Sequence, residues 1–224
     1  YLTGRQVPPA PPQSSAEPID YNILRSSIAL VRNTMHDRRV FLAIMAISFF
    51  WTIGAVLFIQ FPPLVNNVLH ASKEVASVFL VIFAVGIAIG SVSINALLKG
   101  KVSARYSPVS VIGLGIFVVL FFVVCEAWSP HRANGLLDVE TFVGEPLAIP
   151  LLVTLLGIAI AGGMFVVPLY AFLTTFVDKS QTARTIAANN IVNSGAMVVG
   201  SVIAIGLSAL GVAIQHQLLL SAAM

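Results

Sequence analysis

The chain has 224 residues, of which 58% are hydrophobic and only 9% charged, with a mean hydropathy of +0.95. A soluble domain carries about 25% charged residues, so the composition excludes an ordinary water-soluble enzyme and makes the bilayer the main solvent. The net charge of +3 would suit a polyanionic partner, but the basic residues sit between apolar stretches instead of forming a patch, so topology explains them and nucleic acid is not expected as a partner.

In chain order, residues 1–20 hold Pro8, Pro9, Pro11, Pro12 and Pro18 among Gln, Ser and Ala. Such a segment favours extended conformations and buries no core, so a Pro-rich linker is expected. Over residues 21–39, Leu24, Ile28, Val31 and Met35 recur at helical spacing while Arg25, Arg32, Arg38 and Arg39 supply cations. The pattern predicts a short amphipathic helix on the membrane surface, or else an exposed linker helix that touches no lipid.

A transmembrane bundle is expected over residues 40–224. A hydrocarbon layer of roughly 30 Å takes about 20 apolar residues as helix, and five stretches reach that length: 40–60, 75–98, 109–128, 147–176 and 185–214. Pro62 and Pro63, Lys99-Gly100-Lys101 and Asp178-Lys179 punctuate them. A sixth span is expected from residue 218 onward, cut short at Met224, and the chain opens without an initiating Met, so it reads as a fragment at both ends. Cys125 is the only cysteine, which leaves no disulfide framework and no cysteine metal cluster.

Alternate loops divide the 12 basic residues unevenly. Arg5, Arg25, Arg32, Arg38, Arg39, Lys99, Lys101, Arg105, Lys179 and Arg184 fall on one side; Lys73 and Arg132 fall on the other, with most of the acids. Basic loops stay inside, so the N-terminal side is expected to be cytoplasmic in a multi-pass protein of a bacterial inner membrane.

Gly86 and Gly90 form a GxxxG in the second span, and Ala196 with Gly200 forms a small-xxx-small pair in the fifth; both spacings let helix backbones approach closely. Static packing and smooth sliding faces both fit. In the fourth span Gly157, Gly162 and Gly163 precede Pro168, which removes a helix hydrogen bond, so a kink or loosened turn is expected there. Polar groups inside spans cost free energy unless paired or wetted, which makes them pointers to a pathway. They are Ser48, Thr52 and Gln60, Asn95, Tyr170 and Thr174, and Asn189, Asn190 and Asn193. Asn189 and Asn193 are i,i+4 and share a helix face, serving either as interhelical glue or as the wall of a wet cavity.

Gln60, which donates and accepts, and Tyr170, a hydroxyl on an apolar ring, are the leading candidates to touch a polar substrate head, with Asn189 and Asn193 next. Interfacial anchoring of Tyr170 and hydration of Gln60 at a helix end are the structural alternatives. No Asp, Glu, Lys or Arg lies near the middle of a span, which argues against a proton relay within this chain. His36, His70, His131 and His216 are scattered over loops without an adjacent nucleophile or metal-ligand spacing, so no catalytic residue, metal or cofactor is assigned.

At residues 99–108 (KGKVSARYSP), 161–173 (AGGMFVVPLYAFL) and 184–193 (RTIAANNIVN), the sequence resembles the bacterial lysophospholipid transporter branch of the major facilitator superfamily. It looks especially like the transporter domain fused to a phospholipid acyltransferase and an acyl-ACP synthetase. The resemblance implies an all-α membrane fold of twelve helices, this chain supplying the C-terminal six-helix half with its last helix truncated. It also implies as partners the N-terminal six-helix half, membrane lipids, an amphipathic substrate and, beyond residue 224, fused acyltransferase domains. Gly100, Lys101 and Arg105 occupy the place of that superfamily's cytoplasmic gate motif; its acidic member is absent. The function so implied is inward movement or flipping of lysophospholipids for reacylation. Efflux of amphipathic drugs or metabolites, and a membrane anchor for fused enzymes, are the rival readings.

Overall fold

The computed structural model describes residues 21–128 and 135–223; the Pro-rich segment 1–20, His131 and Arg132 lie outside them. Eight helices make up the described residues: α1 (Ile23–Thr34), α2 (Arg38–Asn67), α3 (Lys73–Leu97), α4 (Ser107–Glu126), α5 (Val139–Val143), α6 (Ala148–Phe176), α7 (Lys179–Ala209) and α8 (Ile214–Ala223). Five of them, α2, α3, α4, α6 and α7, are long and apolar enough to cross a membrane.

Asn22 caps α1 by accepting from the Arg25 amide at 3.0 Å, and Asp37 caps α2 through the Arg39 amide at 2.7 Å. Leu24 and Ile28 on α1 stay exposed, while Leu30 turns toward α7. The Arg39 guanidinium lies 5.6 Å from the centre of the Phe176 ring, tying the start of α2 to the end of α6. At the opposite end of the bundle the Leu137 amide donates to His70 O at 2.8 Å, the Ser72 amide donates to Leu137 O at 2.8 Å, and Trp128 Nε1 donates to Leu69 O at 3.1 Å. These ties, with the up-and-down path of the long helices, place the 99–105 and 178–184 loops at the Arg39 end.

The expected limits of three helices are corrected. Pro62 and Pro63 do not end the first span; α2 runs through both to Asn67. Proline's fixed φ fits a helix, lipid-buried helices tolerate the lost bonds, and Phe61, Leu64 and Val65, almost fully buried, hold these turns against the core. α7 begins at Lys179 and ends at Ala209 instead of covering 185–214, because hydropathy does not register the polar first turns and Gly211, at φ +79°, turns the chain. α8 starts at Ile214, four residues before the expected 218. α6 continues as α-helix through Pro168 to Phe176.

α6 is the hub, and its glycines explain why. A Cβ on Gly157 would run into the Phe117 ring of α4, one on Gly162 would lie 2.7 Å from the Phe50 ring of α2, and one on Gly163 would lie 2.6 Å from the Ile87 carbonyl oxygen of α3. Three glycines thus admit three neighbours. Without a hydrophobic drive between helices in lipid, such close van der Waals contact is what holds a bundle. Edge-to-face rings add to it near the His70 end, where Phe61 and Phe79 are 5.8 Å apart and Phe79 and Phe121 6.5 Å.

Candidate functional site

Uncharged polar side chains from three helices converge where α2, α6 and α7 meet. α7 presents Thr185, Asn189 and Asn193 at four-residue steps on one face, and all three are buried. Ser48 Oγ on α2 donates to Asn193 Oδ1 at 2.6 Å. Asn193 Nδ2 in turn donates to the Tyr170 hydroxyl oxygen of α6 at 3.4 Å, and Trp51 Nε1 of α2 donates to the same oxygen at 2.8 Å. Asn189 is fully buried; its Nδ2 reaches Asn190 Oδ1 at 3.4 Å, but its own Oδ1 has no hydrogen-bond partner. An unmet acceptor of this kind costs about 1–3 kcal/mol.

The cluster lies inside the span. Ser48 is ten residues into α2, about 15 Å at 1.5 Å per residue. At the Arg39 end opens a cavity of about 940 Å³, lined among others by Ser26, Asn33, Asp37, Asp178, Gln181 and Thr185. Thr185 belongs both to the cavity wall and to the buried stripe of α7, so polar groups continue from the cavity to Asn189 and then Asn193. No three His, Cys, Asp or Glu side chains converge among the described residues.

Gln60 is not part of this cluster. Its Nε2 donates to Gln217 Oε1 of α8 at 2.6 Å, and Gln217 Nε2 donates to Ser208 Oγ at 3.0 Å and Val212 O at 2.8 Å. Twelve residues separate Gln60 from Ser48, about 18 Å along α2. The pairing of Gln60 and Tyr170 at one substrate head, expected from their polarity, does not occur in this arrangement. Gln60 instead closes α2 onto α8, a partner invisible to a scan of each span alone.

The remaining sequence candidates fall into packing and loop positions. A Cβ on Gly86 would lie 2.5 Å from Ala159 Cβ, and one on Gly90 would overlap the Ile160 carbonyl oxygen, so α3 and α6 touch through backbone. A Cβ on Gly200 would collide with Thr52 Cγ2 of α2; Ala196, one turn earlier, is half-buried. Gly100, at φ +71°, closes α3 by donating its amide to Asn95 O at 3.2 Å. Lys101 is exposed beside it, and the Arg105 guanidinium lies 5.9 Å from the centre of the Tyr106 ring.

The sequence profile of the Major Facilitator Superfamily matches residues 1–201. The chain belongs to the Major Facilitator Superfamily. No curated protein and no solved structure matches it. As a major facilitator chain it is a multi-pass membrane protein whose activity is transport. One residue of the polar cluster in this major facilitator bundle, Trp51, escaped the sequence reading. Ser48 was visible as a polar residue in a span but had no distinguishing mark. Trp51 lies in the apolar run 40–60, and only its position three residues after Ser48, on nearly the same helix face, hinted that its indole N–H could join the set.

Proposed function

We propose that this chain forms part of a carrier that moves lysophospholipids inward across a bacterial inner membrane for reacylation. The single observation that supports the reading is the uncharged polar cluster of Tyr170, Asn189 and Asn193 inside an otherwise apolar bundle, which suits a substrate with one acyl chain and a compact polar head. A net-charged sugar acid or amino acid would leave its charge without a countercharge in this cluster. The resemblance over residues 161–173 and 184–193 supports the same substrate class, and those two stretches carry Tyr170, Asn189 and Asn193. Gln60 is proposed as a structural residue, and the 99–105 loop as a cytoplasmic turn.

The test is uptake of fluorescently labelled lysophospholipid by the intact protein reconstituted in liposomes, with Tyr170→Phe and Asn193→Leu at matched abundance. Time-dependent movement of lysolipid between leaflets, reduced in both variants, is the expected result. Movement of cationic amphiphiles but not lysolipid would replace this reading with efflux, and movement of neither would favour an anchor.

A further inference from the structure

The cavity at the Arg39 end holds polar groups that the fold itself does not use. Asp178 stands at the N-cap of α7, where an aspartate ordinarily accepts from an amide of the first turn, yet its side chain makes no such bond. Asp37 caps α2 through Oδ1, with the Arg39 and Val40 amides at 2.7 and 3.4 Å, which leaves Oδ2 for another donor. Thr185 is only 3% exposed, lines the cavity, and its hydroxyl makes no hydrogen bond among the described residues. Asp178, Gln181 and Thr185 follow one another at i, i+3 and i+7, so they share a face of α7 over roughly 10 Å of its axis. Arg184 adds one positive charge to the same wall and is itself engaged within the chain. Both aspartates are exposed, whereas Thr185 is buried, so the carboxylates lie where water reaches and the hydroxyl lies deeper. An anion alone would face two carboxylates, and an ammonium alone would leave the donors of Thr185 and Gln181 unused. A ligand that bears both charges uses every group.

We propose that this cavity is a cytoplasmic station for a zwitterionic head in which an ammonium is joined to a phosphodiester. The Asp178 carboxylate and Asp37 Oδ2 accept from the ammonium, while the Thr185 hydroxyl and the Gln181 amide donate to phosphodiester oxygens beside the Arg184 charge. This assignment rests on the lysophospholipid reading above and adds a second place for the same head. The cluster around Tyr170 lies inside the span and carries no charge; the cavity is charged and reached by water. Thr185, one turn before Asn189 on the same face of α7, belongs to both. A head moving inward therefore meets its countercharges at the end of the bundle where it is released.

The experiment is calorimetric titration of the purified intact protein in detergent with glycerophosphoethanolamine, a head without an acyl chain, and with ethanolamine and glycerol phosphate as its two halves. Wild type is expected to bind the whole head with a Kd at least about tenfold below that of either half. Asp178→Asn keeps a capping residue and removes the charge. It should raise Kd about tenfold for glycerophosphoethanolamine and for ethanolamine, and bind glycerol phosphate no more weakly than wild type. Asp37→Asn, which also keeps its cap, should act in the same direction. Thr185→Val should weaken the whole head about threefold, and Thr185→Ser should restore it. Lysophosphatidylethanolamine should displace the soluble head, which ties the site to the lipid. No saturable binding by wild type, a Kd untouched by both aspartate variants, or no displacement by the lysolipid overturns the site. Uptake in liposomes separates the two readings. Lysolipid movement without this binding removes the site and leaves the functional reading standing, whereas binding without movement removes the functional reading and leaves the site.

Discussion

Replacing Gly90 by alanine should destabilise the bundle, because its missing side chain is what lets α3 touch the backbone of α6. A Cβ there would overlap the Ile160 carbonyl oxygen and lie 3.0 Å from the carbonyl carbon, atoms that are held in a helix and cannot rotate away. At Gly86 the nearest atom is Ala159 Cβ at 2.5 Å, and ordinary carbon contacts lie at about 3.5–4.0 Å, so either substitution requires the helices to part by about 1 Å. A gap of that size forfeits roughly a quarter to a half of each dispersion contact along the seam. Overpacking of this kind costs about 1–3 kcal/mol, and a chain of this size loses roughly 2–4 °C of Tm per kcal/mol. Gly54→Ala is the control: a Cβ at that position meets nothing within 4 Å, and alanine gains about 1 kcal/mol of helix propensity over glycine. Thermal unfolding of purified protein in detergent should place Gly90→Ala below wild type and Gly54→Ala at or above it. Gly86→Leu and Gly90→Leu should then impair transport more than membrane insertion, because both remain apolar. Equal melting of Gly90→Ala and wild type, or an equal loss in Gly54→Ala, would refute a backbone contact at this seam.

Gln60→Leu leaves Gln217 Oε1 without its donor, so a loss of about 1–3 kcal/mol is expected in the same melts, with headgroup preference unchanged; an altered preference would return Gln60 to the substrate path. Cysteines placed at Arg105 and Arg184 should be shielded from an impermeant thiol reagent applied to intact cells, while one at Leu136 reacts, in a Cys125→Ser background; the reverse pattern would invert the orientation. The Asp138 carboxyl accepts from the Thr141 side chain and backbone amide, which hold its pKa below the ordinary carboxylate value. Its contribution to α5 is therefore full at neutral pH and disappears as pH falls through the lowered folded value. Hydrogen exchange of the α5 amides should accelerate below about pH 4 in wild type, whereas Asp138→Asn should show no such step.

The long helices were legible because hydropathy reports what lipid tolerates, and every span longer than the bilayer core announced itself. Helix ends were less so. Pro62 and Pro63 act as breakers by local rules, but Phe61, Leu64 and Val65 are anchored by tertiary contacts no window of α2 contains. The same limit applied to Gly157, Gly162 and Gly163. A run of glycine before Pro168 reads locally as a weak point, yet the three positions face three different helices, and close approach is the reason for each. Within the candidate site, Tyr170, Asn189 and Asn193 stood out as polar residues in lipid. Their connection through Trp51 and Ser48 depends on how α2 lies across α6 and α7, and a long apolar helix gives no sign of its rotation about its own axis.

The two polar clusters on α2 differ in a way that bears on which of them handles substrate. Around Gln217 the available groups are matched: its oxygen accepts from Gln60, and its nitrogen donates to Ser208 and to the Val212 carbonyl. A ligand entering there would have to break bonds already made, at a cost similar to what it gained. Around Asn189 the accounting is incomplete, with one acceptor unmet. A group that supplies a donor there forms a new bond without breaking an old one. The helices reinforce this division. α3, α4 and α6 meet through glycine-backbone and glycine-ring contacts that leave no room for a guest, whereas α7 buries only a single face, mainly through Thr185, Ala188, Asn189, Asn193, Gly200 and Ala204. Yet the α2–α7 interface is itself close-packed at Gly200, where a Cβ would collide with Thr52 Cγ2, so the unmet acceptor of Asn189, and not loose packing, is what sets this interface apart.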